Sequence, residues 1–135
     1  MLVTHLLCRE IVFRAVLKSG WLDEDGRLTA SAFIRDPQRD PDGLSVNMQA
    51  LTDVEGWLSS AFKKSFGVDT LHAGRIRDLK LQIGQTEQDL RDGSGHAIIA
   101  GMPSLEEDPK RAEDLATELR NISCTLDRVR RKKMG

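Results

Sequence analysis

The chain has 135 residues, a formal charge of −1, 39% hydrophobic and 30% charged residues, a composition that suits one globular unit and sets aside a disordered chain. The near-zero charge leaves no overall attraction to nucleic acid or to an anionic membrane, so either partner would need a local patch. With four Phe, two Trp and no Tyr, the core is expected to be aliphatic and few rings remain to stack on bases or sugars.

Cys8 and Cys124 belong to no ligand-spaced cluster, which predicts neither a disulfide framework nor a zinc site but reduced thiols in a cytoplasmic protein. No apolar run approaches the roughly 18 residues of a membrane span. The first residues, Met1 to Leu7, lack a basic region and are followed by Arg9 and Glu10, so no signal peptide is expected.

In chain order, the β-branched and aromatic run Ile11 to Val16 predicts a strand, with Arg14 either at a sheet edge or facing a site. Ser19-Gly20 and Asp23 to Gly26 read as turns, anchored between them by Trp21 and Leu22. The acidic cluster lacks the ligand spacing of a calcium loop. From Ser31 to Asn47, two apolar runs flank Asp36-Pro37-Gln38-Arg39-Asp40-Pro41-Asp42-Gly43, predicting two strands joined by a wide exposed loop. Because loops on a rigid scaffold often carry binding groups, Arg35, Arg39, Asp42, Ser45 and Asn47 are candidates.

Thr52-Asp53-Val54-Glu55 fits a capping box and opens a helix over Asp53 to Phe66, with Trp57 and Phe62 as core anchors and Gly67 as its stop. Glycine punctuation then predicts three strands, within Val68 to Ile76, Leu79 to Ile83 and His96 to Met102. The last has no polar alternation and is expected at the centre of the sheet. Ser104 to Glu107 offers a second capping box, and Asp108-Pro109 starts a helix near Pro109 to Arg131. Its stripe of Ala112, Leu115, Leu119, Ile122, Leu126 and Val129 is heptad-like.

The predicted fold is α+β: a mixed or mostly antiparallel sheet of five to six short strands, one packed central helix and a long C-terminal helix. Residues 1–135 form a single domain in this reading, with a sheet-rich body over 1–102 and the C-terminal helix over 103–135.

Several chemistries find no motif. His5, His72 and His96 form no HExxH or paired arrangement, so no metal is expected. No GxGxxG, GK[ST] or GxSxG pattern occurs, and no cofactor is expected. His96, opening an apolar strand after Gly93-Ser94-Gly95, is a candidate general acid or base. The bases of Arg128 to Lys133 are a candidate nucleic-acid contact, although a helix end also favours them.

Two resemblances add expectations. Arg14, Ser31 or Ser45, and Gln85-Thr86-Glu87 are similar in order to the Arg, Ser, Gln-x-Glu layout of ADP-ribosyltransferases. That resemblance implies an Arg holding NAD and a Glu stabilising a ribosyl cation, without the family's Ser-Thr-Ser triplet. The segments Phe13-Arg14-Ala15, Ala32-Phe33, Asp42 to Asn47 and His96 to Gly101 resemble a group of small bacterial proteins of unassigned function.

The leading functional expectation is an interaction or accessory protein that self-associates, or docks a partner helix, through Leu115, Leu119, Ile122, Leu126 and Val129. The same stripe buried within its own chain is the equal alternative. The second expectation is an enzyme with a ligand site beside the 35–47 loop, using Arg14, Arg35, Ser45, Asn47 and His96. The third is nucleic-acid binding through the basic C-terminus.

Overall fold

The computed structural model describes residues 2–16, 19–25, 27–38, 40–51 and 68–125. Among these, seven strands form one antiparallel sheet: β1 (Leu2–His5), β2 (Ile11–Ala15), β3 (Leu44–Met48), β4 (Val68–His72), β5 (Gln82–Thr86), β6 (His96–Ala100) and the two-residue β7 (Cys124–Thr125). Their order is β1-β5-β6-β3-β2-β4-β7, and every pair is antiparallel. Helices α1 (Ala73–Asp78), α2 (Glu87–Asp92) and α3 (Pro109–Ile122) join three short 3-10 turns to complete an α+β fold. No helix of the described residues is long and apolar enough to cross a membrane.

The register sorts side chains by face, because directly paired residues share a face and neighbours along a strand alternate. Val12 pairs with Met48 and Leu71, Val46 with Ala97, and Ile99 with both Leu44 and Ile83. These residues belong to the main core. Leu115, Ala116 and Leu119 of α3, Ala32 and Phe33 of the 30–33 turn, and Ala73 and Ile76 of α1 pack into the same cluster. The opposite face carries the paired rows Thr70-Phe13-Asn47-His96 and Ser45-Ile98-Gly84. There Phe13, Val68 and Ile98 are also buried. As expected, β6 is an internal strand buried on both faces.

Local differences from the sequence reading have physical causes. Residues 30–33 form a 3-10 turn rather than a strand. Ala32 and Phe33 are consecutive and both buried, which a tight turn allows but the two-sided alternation of a strand with one solvated face does not. The stretch Val68 to Ile76 is a strand only to His72, and α1 takes over because Ala73 and Ile76, three apart, bury on one helical face. The reciprocal bonds expected at Ser104 and Glu107 are present, Glu107 N donating to Ser104 Oγ at 3.2 Å and Ser104 N to Glu107 Oε1 at 3.1 Å. They close a turn, and the helix starts after Asp108, whose carboxylate accepts from Arg111 N.

The C-terminal helix ends at Ile122 instead of near Arg131. Ser123 is extended and its hydroxyl donates to Arg120 O, and Cys124–Thr125 then pair with β4. The heptad-like stripe is therefore interrupted. Over the described helix it lies inside the chain, with Leu115 and Leu119 buried and Ile122 half-buried against the core. Leu126 and Val129, the basic tail, Arg39 and the expected helix over Asp53 to Phe66 lie outside the described residues.

Two glycines permit close strand contacts. A Cβ on Gly84 would lie 1.8 Å from Thr4 O, where β1 and β5 meet beside a register shift. A Cβ on Gly43 would lie 2.3 Å from Ile99 O, and its φ of 145° favours glycine independently.

Leu119→Ala should lower the stability by about 2–5 kcal/mol, the range for truncating a buried leucine. Urea denaturation checks this through a lower midpoint at unchanged slope; an unaltered midpoint would place Leu119 outside the core.

Candidate functional site

The candidate residues divide between the two sides of the sheet. Arg14 is buried on the core side, where it pairs with Asp69 across β2 and β4. Its Nε donates to Ala32 O at 2.9 Å and Nη1 to Ser45 O at 2.7 Å, while Nη2 lies 3.7 Å from Asp40 Oδ2. The guanidinium also sits 5.7 Å from the Trp21 ring centroid, a cation–π distance. The acceptors are two backbone carbonyls, and a buried carboxylate faces the charge as an ion pair, so Arg14 joins β2 to β3, to the 30–33 turn and to the loop before β3.

Arg35 has a similar task nearer the surface. Nε donates to Met102 O at 3.0 Å, Nη1 to Asp40 O and Pro41 O at 3.2 and 3.3 Å, and Nη2 to the Glu107 carboxylate. Glu107 titrates below the usual carboxylate range, first because Ser104 N donates to it and then through the Ser104 hydroxyl, against a smaller rise from desolvation and with a further, lesser lowering from Arg35. The 36–43 loop is thus tied down from both ends, with Asp40 N also donating to Asp36 O and Ser45 N to Asp40 Oδ1.

Ser45, Asn47 and His96 come together on the other face. Asn47 is paired directly with His96 across β3 and β6, and Ser45 lies two residues back along β3. His96 and Ser45 are half-buried, the His96 side chain 36% exposed beside buried Asn47. Its Nδ1 lies 2.6 Å from Asp89 Oδ1. Asp89 is supplied by α2, which begins immediately after β5 and is capped reciprocally: Thr86 N donates to Asp89 Oδ2 at 2.9 Å and Asp89 N to Thr86 Oγ1 at 3.1 Å. Gln85 Nε2 donates to His96 O at 2.9 Å and steadies the histidine backbone.

Burial raises the Asp89 pKa, but Thr86 N, the His96 ring and the Thr86 hydroxyl together outweigh it, so the carboxyl titrates below its ordinary range. An ionised Asp89 accepts a hydrogen bond from Nδ1–H. In the neutral imidazole this leaves Nε2 as the basic nitrogen.

Thr86 and Asp89 are the site residues absent from the sequence-based set. Their signal was present as Thr86-Glu87-Gln88-Asp89, the Thr-x-x-Asp form of a capping box. Arg14 and Gln85 occupy strands separated by β3 and β6, about 14 Å at ordinary strand spacing. Glu87 is exposed and paired with Arg91.

Among the described residues, no group of three or more His, Cys, Asp or Glu side chains could hold a metal ion. Asp23 Oδ1 instead accepts from Asp25 N and Arg27 N, closing its turn. Compared with known protein families, curated proteins and solved structures, the chain matches none.

Arg14→Ala should cost about 3–5 kcal/mol of stability, the usual result of removing one partner from a buried ion pair; chemical denaturation checks it, and a loss below 1 kcal/mol would contradict the anchoring role. Asp89 has the opposite pH signature to a raised pKa. Its folded value is depressed, so its stabilisation is present above the unfolded value of about 3.9 and is lost as pH falls through the folded value. Thermal melts of the wild type and Asp89→Asn should differ most near neutrality and converge towards pH 2.

Proposed function

We propose that this chain acts through a His–Asp site beside β3, binding a polar ligand next to Asn47 and exchanging a proton with it at His96 Nε2. One observation carries the reading: the 2.6 Å contact between His96 Nδ1 and Asp89 Oδ1, with that carboxylate itself held by Thr86. An oriented imidazole whose second nitrogen is basic is the working part of a general acid–base site. Asn47 adds an amide beside it with both donor and acceptor capacity. The site lies on β3 and β6 rather than in the 36–43 loop, which Arg14 and Arg35 fasten to the body. In this role Asp89 is a positioning residue, and His96 is the group that meets the ligand.

This reading departs from an interaction protein built on the C-terminal stripe. Leu115 and Leu119 are buried in the chain's own core, which leaves the described part of α3 without an apolar face for a partner helix.

Hydrolysis of an activated ester, p-nitrophenyl acetate, provides a substrate-independent test because an imidazole oriented by a carboxylate, with Nε2 as its free nitrogen, attacks it or activates water against it. His96→Gln should reduce the protein-dependent rate at pH 7.5 by about tenfold, within the usual contribution of general base catalysis. His5→Gln and His72→Gln should leave most of it. An undiminished rate in folded His96→Gln would overturn the proposal.

A further inference from the structure

One carboxylate serves both His96 and the helix beside it. Asp89 Oδ1 contacts His96 Nδ1 at 2.6 Å, and Oδ2 accepts from Thr86 N at 2.9 Å. α2 has six residues, of which only Asp89 is buried. Isolated helices shorter than about 12–15 residues are marginal in water, so α2 depends on its ends and on that buried side chain. Both ends run through Asp89: its N–H and carboxylate complete the capping box with Thr86, and its carbonyl accepts from Gly93 N at 3.1 Å. Gly93 takes a left-handed conformation, and only Ser94 and Gly95 separate it from His96. Residues 89–96 therefore form a ring closed by the His96–Asp89 contact, and the capping box ties Thr86 to it.

We propose that α2 is conformationally coupled to His96 through Asp89. Withdrawing the imidazole from the carboxylate removes the outer support of a side chain on which the helix depends, and α2 loosens. The converse follows from linkage: whatever orders α2 favours the bound orientation of His96. Leu90, 48% exposed, and the Glu87–Arg91 pair lie on the helix surface, so a change at His96 is displayed there. The sense of this coupling as ligand regulation rests on the proposed acid–base site, whereas the link itself exists without a ligand.

Amide hydrogen exchange on the full chain at one fixed pH tests it, comparing wild type, His96→Gln and His5→Gln. In His96→Gln the amides of residues 90–93 should exchange at least about tenfold faster, as expected for local opening. Those of Ile98 and Ile99 should change less than about twofold. His5→Gln should match the wild type throughout. Unchanged α2 exchange in His96→Gln would overturn the coupling, as would equal acceleration of α2 and β6. Faster α2 exchange with undiminished ester hydrolysis would retain the link and remove the acid–base reading, and the opposite pair of results would do the reverse.

Discussion

The buried Arg14 guanidinium is the constraint around which the core side of the sheet is arranged. Taking a full charge out of water costs several kcal/mol unless its donors are matched by good acceptors. Here two acceptors, Ala32 O and Ser45 O, come from different segments, and the buried Asp40 carboxylate faces the charge at 3.7 Å with the Trp21 ring nearby. Each partner requires its segment in place, so one residue of β2 determines where the 30–33 turn and the loop before β3 can lie. Arg35 continues the arrangement outward to Met102 and Glu107. The loop richest in polar residues is consequently part of the scaffold.

Asp89 plays a comparable part on the other face with a different chemical result. Its carboxylate is divided between a backbone N–H, which stabilises α2, and an imidazole nitrogen, which orients His96. The arginine clusters direct their hydrogen bonds to the chain's own carbonyls and carboxylates. The His–Asp pair instead presents a half-exposed titratable ring beside Asn47. That difference in exposure and in basicity places the functional hypothesis here. Antiparallel pairing makes it possible, since Asn47 and His96 are far apart in sequence but opposite one another in register.

Much of the framework was legible in local chemistry. The β-branched run of β2, the unbroken apolar run of β6 and the Asp108-Pro109 helix start all express preferences satisfied within a few residues. The errors arose where short-range patterns compete. Ala32-Phe33 suits a strand by composition but a turn by burial, and Ala73 to Asp78 is too short for its helical period to stand out against the preceding strand. The stripe beyond Ile122 continued in sequence, while Ser123 and the pairing of Cys124–Thr125 with β4 ended the helix. His96 was recognisable as a titratable residue at a strand start; its partner was masked because Thr86-Glu87-Gln88-Asp89 is short and polar.

The sequence by itself determined the α+β class, the positions of β2, β3 and β6, the start of α3 and the shortage of metal-binding or nucleotide-binding motifs, because these depend on side-chain preferences over a few neighbouring residues. Only the tertiary structure decided that Arg14 turns into the core, that the described α3 stripe is buried within its own chain, and that His96 meets Asp89 and lies opposite Asn47 in register. Those outcomes depend on strand order and register, which bring together groups separated by tens of residues and assign each side chain to one face of the sheet.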